Sequence, residues 1–267
     1  MRWLLIPILL CLCCRGAEPK PLLVVLEQNP WLMVIGSDSP VFALYDDGTI
    51  IYLRDKPTQE EPFFSRRVAD PKKKVEALLA FVPAKMKSLY KLSSATDQVT
   101  TVIWTPAKTI EIYGNWRKAL DFGGDSDPRL KAIAERETTM WASLPSEIRE
   151  ALARIDLERS GSGVPWLPGK VEVMFWPYEY APDESNIWPK DWPGLNAKDT
   201  RKRGEDSFSV FLPSEKLPEL MKFLASRKPR GAVLIDGKKM AASFRFPFPG
   251  EALWMTRNSN TPSESFK

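Results

Sequence analysis

Two Asp-Gly pairs, each set between runs of β-branched and aromatic residues, constrain this chain more than any other feature. Pro40-Val-Phe-Ala-Leu-Tyr45 and Thr49-Ile-Ile-Tyr-Leu53 flank Asp46-Asp47-Gly48, and Ala232-Val-Leu-Ile235 runs over Asp236-Gly237 into Met240–Phe246. Asp-Gly at such a junction signals a β-hairpin, because glycine reaches the positive φ of a tight turn without steric cost. A further hairpin is expected from Val99–Trp104 and Thr109–Tyr113, joined by Thr105-Pro106-Ala107-Lys108. The continuous apolar run Leu22–Leu26 reads as a buried strand.

Helices alternate with these hairpins. Asp70-Pro71 has the chemistry of an N-cap followed by the first helical position, with Lys72, Lys73 and Lys74 in the opening turn. Val75, Leu78, Leu79, Val82, Met86 and Leu89 then share one helical face, and Pro83 should kink or split the helix. Asp127-Pro128 opens a second helix with Leu130, Ile133, Ala134, Met140, Trp141 and Leu144 on a stripe, and Pro145 begins a shorter one carrying Ile148, Leu152 and Ile155. Later, Val171–Tyr180 and Ser207–Leu212 read as strands around a long irregular loop, and Pro213 to Ser226 as a helix with Leu217, Leu220, Met221 and Leu224 on one face. Pro218 is tolerable there only near the first turn.

The expected class is α+β, with antiparallel hairpins and packed helices. Strand pair, helix and hairpin occur twice in that order, which fits two similar units or ordinary α+β alternation. Ser160-Gly-Ser-Gly-Val-Pro165 is the most linker-like stretch, so residues 17–160 and 161–255 are taken as N-terminal and C-terminal units. The polar segment 256–267 is expected to be a disordered tail.

Composition removes whole classes of chemistry. Of the 267 residues 43% are hydrophobic, enough for a core, but there is no histidine, and the only cysteines are Cys11, Cys13 and Cys14. Ser-His and Cys-His catalytic pairs, His/Cys zinc sites, haem or iron–sulfur centres held by His or Cys, and disulfides in the body are excluded. No cofactor is called for. Arg2 followed by the uncharged run Trp3–Cys14 has the order of a secretory signal peptide. As a helix those residues rise only about 18 Å, too little for a bilayer core of about 30 Å. Cleavage after Gly16 puts small residues at the last and third-last positions; the alternative is a lipoprotein signal with Cys13 or Cys14 acylated. Losing Arg2 and Arg15 takes the 38 basic residues to 36 against 34 acidic, so no nucleic-acid or anionic-membrane surface is implied. An exported protein of the periplasm, envelope or exterior is expected, without a transmembrane span in the mature chain.

Phe42-Ala-Leu-Tyr-Asp-Asp-Gly-Thr-Ile-Ile-Tyr52, Ile235-Asp-Gly-Lys-Lys-Met240 and Phe244-Arg-Phe-Pro-Phe-Pro-Gly-Glu251 resemble the opening and closing hairpins of uncharacterised exported bacterial proteins. The resemblance implies the architecture and the address, and carries no activity.

Candidate chemistry must therefore rest on carboxylates, Lys, Tyr, Ser or a hard metal. Asp121, Asp125 and Asp127 in a glycine-containing loop could wrap calcium, but the spacing misses the EF-hand, and turn-and-cap duty accounts for them. Gly163 to Gly169-Lys170 has one residue too many for a phosphate loop, and Ser88-Leu-Tyr-Lys91 lacks the companion motifs of acyl-serine enzymes. The basic run Lys198–Arg203 reads as a solvated loop. The loop from Trp166 to Trp192 is richer: Trp176, Tyr178, Tyr180, Trp188 and Trp192 are interleaved with prolines, and Asp183, Glu184 and Asp191 could form a polar rim. Such aromatics could make a stacking platform for a glycan or an envelope protein; equally, they could pin the loop to the sheet by burial. The leading expectation is a non-enzymatic binding or envelope-associated module using this loop. The alternative is a carboxylate-based hydrolase of a glycan, which needs two of these acids facing each other. A structural partner of a membrane complex would differ in carrying a large exposed apolar patch.

Overall fold

The structure, a computed structural model, describes residues 18–32, 38–80, 82–83, 85–119 and 128–255. The leader with Cys13 and Cys14, the Asp121–Asp127 cluster and the tail from 256 lie outside the described residues. What is described is a mixed α/β protein on two sheets. Strands β1 (Pro21–Gln28), β2 (Pro40–Tyr45), β3 (Thr49–Leu53) and β4 (Phe63–Arg67) form a meander. Helix α1 (Pro71–Leu79) leads to β5 (Leu89–Lys91) and the hairpin β6 (Thr100–Trp104) and β7 (Thr109–Tyr113). Helices α2 (Pro128–Ala142) and α3 (Ser146–Arg159) follow, and β8 (Val164–Pro165) completes a sheet of order β5-β7-β6-β1-β2-β3-β4-β8.

The second sheet holds β9 (Lys170–Pro177), β10 (Asp183–Ile187), β11 (Arg201–Lys202), β12 (Phe208–Pro213), β13 (Gly231–Ile235) and β14 (Lys238–Arg245), in the order β10-β13-β14-β9-β12-β11. Helix α4 (Leu217–Ala225) precedes β13, and α5 (Ala252–Met255) follows β14. The ladders are antiparallel except β5–β7 and β10–β13, which are parallel. Neither of those pairs is joined by a tight turn, the connection that forces antiparallel pairing. The first closing hairpin docks on β1 through its leading strand, β6, whereas the second docks on β9 through its trailing strand, β14.

The run in β1 is apolar throughout because both faces of the first sheet are covered. Leu23 and Val25 join one cluster with Phe42, Leu44, Ile50 and Tyr52, over which α3 lays Ile148, Leu152 and Ile155 and α1 lays Leu78. Val24 and Leu26 join the other, with Ala43, Tyr45, Ile51 and Trp104. Side chains alternate across a strand, so neighbouring residues feed different cores. The second cluster continues through the C-terminal half: the Phe63 ring centroid lies 4.9 Å from that of Phe248, and Trp104 lies 6.1 Å from Trp254.

Local signals account for the hairpins and caps. Gly48 sits at φ +83°, and a Cβ there would lie 2.2 Å from the Val68 carbonyl oxygen. Asp236 and Gly237 both adopt positive φ, 47° and 78°, the signature of a two-residue turn matched to strand twist. Asp70 accepts the Lys73 amide at 3.0 Å, and Pro71 opens α1.

Some helical expectations are corrected. The α1 helix stops at Leu79, ahead of the Pro83 expected to kink or split it, and the stretch carrying Val82, Met86 and Leu89 does not continue it. Val82 and Met86 still pack on the helix-side core, while Leu89 and the Ser88–Lys91 segment belong to β5 and its approach. The expected stripe of α2 is half-buried at Leu130, Ile133, Ala134, Met140 and Trp141 and buried at Leu144 just past the helix; among the described side chains of α2 Glu137 is fully buried, and it accepts the Ser94 amide at 2.9 Å. The 166–192 segment contains β10, which sequence reading placed in an irregular loop. Its Asp-Glu-Ser-Asn start lacks the apolar alternation that marks a strand.

Candidate functional site

The aromatic-proline segment does not gather into one exposed surface. Trp188 and Trp192 are 5% and 8% exposed and belong to the core. The Trp188 ring centroid lies 4.9 Å from Trp192 and 5.0 Å from Phe175, and its indole N–H donates to the Pro193 carbonyl at 2.9 Å. Burial of two large rings with a satisfied N–H pins the loop to the sheet, so their expected role in a stacking platform is corrected. Trp176 is half-buried and, one residue from Phe175 on β9, points to the opposite face. Tyr178 is half-buried and Tyr180 exposed, packed edge to face at 5.0 Å.

The three acids do not converge either. Asp183 accepts the Arg230 amide at 3.0 Å, Glu184 pairs with Lys228 at 3.1 Å, and Asp191 is exposed. Asp183 and Glu184 are consecutive on β10 and therefore face opposite ways. So placed, Asp183 and Glu184 do not bracket a bond as glycoside hydrolysis requires.

A different place concentrates aromatic and charged groups. A cleft of about 840 Å³ opens where the segment after β8, the start of β11, strand β12 and the segment after β14 meet. Its aromatic wall is Trp166, Phe248 and Phe211. Trp166 donates its amide to the Phe63 carbonyl at 2.9 Å, which ties it to β4, and its ring lies 5.1 Å from that of Phe248. Lys170, Lys198 and Arg201 supply cations. Lys170 pairs with Asp199 at 2.9 Å, and the Arg201 guanidinium lies 5.1 Å from the Phe211 ring centroid.

Behind this cleft runs a buried ion network. Glu172, in the middle of β9, is 0% exposed. It pairs with Arg203 at 2.6 Å and Arg245 at 2.5 Å, and accepts the Ser209 hydroxyl. Arg245 also holds Glu251 through two bonds of 2.8 and 2.7 Å, and Glu251 accepts the Phe248 amide at 2.8 Å. Burial alone would raise the Glu172 pKa, but Arg245, the Ser209 hydroxyl and Arg203 together hold it below the usual carboxylate range. Burial costs Arg245 some of its affinity for a proton, and the Glu251 and Glu172 carboxylates more than restore it. Both charges are thus kept, and the network clamps the Phe248–Glu251 wall of the cleft onto β9.

The opening hairpin reaches the same wall. The Tyr45 hydroxyl donates to the Pro249 carbonyl at 3.2 Å, and Glu18 accepts the Gly250 amide at 2.9 Å. Burial, reinforced by the Glu251, Glu18 and Asp47 charges, pushes the Tyr45 pKa far above its ordinary value, so this hydroxyl stays a donor.

Sequence reasoning missed this site, although two signals were present: a lone Glu inside Val171–Trp176, and a lone Arg between Phe244 and Phe246. Each is a charge buried on the face of the second sheet opposite the core cluster of Val171, Val173 and Phe175, and neither names its partner. The two segments that carried the resemblance, around Tyr45 and around Arg245–Glu251, meet here. No family model matches the chain, no curated protein matches its sequence, and no solved structure matches its fold.

Proposed function

We propose that this chain is an exported, non-enzymatic binding module that meets its ligand in the Trp166–Phe248–Arg201 cleft. The observation that carries the reading is that half-exposed aromatic surface and cations converge on a wall clamped by buried ion pairs. Rigid aromatic surface with a few fixed polar groups is the usual composition of a binding site. Burial of Trp188 and Trp192 moves the contact surface away from the 176–192 loop, and the separation of Asp183 from Glu184 weighs against the hydrolase. Export rests on the Arg2 to Gly16 pattern. Among the described residues no helix is long and apolar enough to cross a membrane. In the same reading the two halves are variants of one strand–helix–hairpin plan; a common order of elements supports this, while the different docking of their hairpins limits it to plan.

The test is retention of the purified protein on washed, insoluble envelope material carrying peptidoglycan and polysaccharide, compared with Trp166→Ala. Retention of wild type and its loss in the variant is expected. Equal retention of both proteins, or none by either, would refute the cleft as the contact surface.

A further inference from the structure

Resting on that binding reading, we infer that the ligand of the cleft is an acidic saccharide, a sugar face stacked on Trp166 and a carboxylate held by Arg201. Charge points to the acid. The cleft's own acids are engaged: Asp199 with Lys170, Glu251 with Arg245 from behind, and Glu18 with the Gly250 amide. Asp199 feels Lys198 and Arg201 as well as Lys170, but among the described residues only Lys170 stands at ion-pair distance from it. Arg201 lies over the Phe211 ring, which limits how its planar fork can turn and favours two-pronged contact with a carboxylate.

The wall chemistry points to a sugar rather than a peptide strand. Pro168, Pro247 and Pro249 line the cleft, and proline has no N–H to donate to an incoming main chain. A peptide added as a strand would lose the backbone bonds that give such complexes their affinity. A pyranose needs none of them: one face of the ring presents C–H groups, which suit the half-buried Trp166 and the exposed Leu167, and the hydroxyl rim stays in water. The volume, about 840 Å³, lies within the range of small-ligand clefts, about 300–1,000 Å³, and suits a short oligosaccharide.

Titration calorimetry of the purified protein tests this with four probes: tetragalacturonate, a hyaluronan tetrasaccharide, cellotetraose and a tetraglutamate peptide. At least one acidic sugar is expected to bind about tenfold or more tighter than cellotetraose, and to weaken as salt rises. Arg201→Gln should remove that preference, about tenfold, while leaving the melting temperature unchanged, since Arg201 is exposed at a sheet edge; Trp166→Ala should weaken every saccharide. Equal binding of cellotetraose overturns the acidic part, and equal binding of tetraglutamate overturns the saccharide part; in both cases the cleft still binds. If no probe binds while the envelope retention test succeeds, this inference falls alone. Failure of both assays removes the binding reading with it.

Discussion

Replacing Arg245 by methionine isolates the buried network, because the aliphatic stem is kept while the charge shared by Glu172 and Glu251 is lost. The Arg245 side chain is 5% exposed, and the two carboxylates are 1% and 12% exposed, so solvent screens little of the interaction. Removing one partner of a buried pair costs about 3–5 kcal/mol where it leaves the other charge alone; Glu172 keeps Arg203 while Glu251 loses its cation, so the loss should fall at the lower end of that range. Against a total stability of roughly 5–15 kcal/mol, that loss is large. Urea unfolding followed by tryptophan fluorescence should read it as a lower midpoint at unchanged slope. The loss should also depend on pH. In the variant, burial without Arg245 drives the Glu172 pKa up, so its protonation relieves the strain as pH falls from 7 towards 4, and the gap to wild type narrows. Arg245→Met combined with Glu172→Gln should recover part of the loss. A loss under about 1 kcal/mol, or one that stays constant across this pH range, would refute the reasoning.

Three further outcomes are expected. Trp188→Ala should cost about 3–5 kcal/mol through the cavity it leaves in the second core, read as a fall in melting temperature; fluorescence quenching of Trp188 by acrylamide in the native protein would contradict its burial. Gly48→Ala should cost about 1–3 kcal/mol, since alanine would have to adopt φ +83° with its methyl against the Val68 carbonyl, and a thermal melt measures it. In the wild type, Glu137, Glu158 and Glu172 all sit below the usual carboxylate range: in each case burial raises the pKa and hydrogen bonds or cations outweigh it. The unfolded chain then takes up protons first, so urea midpoints should hold steady above about pH 4.3 and fall progressively below it.

Much of the local structure was legible in the residues. Asp46-Asp47-Gly48 and Asp236-Gly237 dictate their turns by backbone sterics, Asp70-Pro71 caps its helix, and the apolar run of β1 announces burial on both faces. These are short-range matters, settled within a few residues of chain. The candidate site was less legible. Reading the 176–192 aromatics as a surface failed because a tryptophan carries the same sequence signal whether it faces a ligand or a core, and only packing against Phe175 and Phe223 distinguishes the two.

By itself the sequence determined that this protein works without imidazoles or body thiols, that each of its two sheets contains an Asp-Gly hairpin, and that helices of modest length cover them. Only the tertiary structure decided that Glu172, Arg203, Arg245 and Glu251, spread over strands and a loop, share one buried network, and that Tyr45 and Pro249, 204 residues apart, touch beside the cleft. The reason is physical: a turn depends on neighbouring dihedral angles, whereas the pairing of buried charges depends on which strands lie side by side, and that is fixed by burying the whole apolar surface at once.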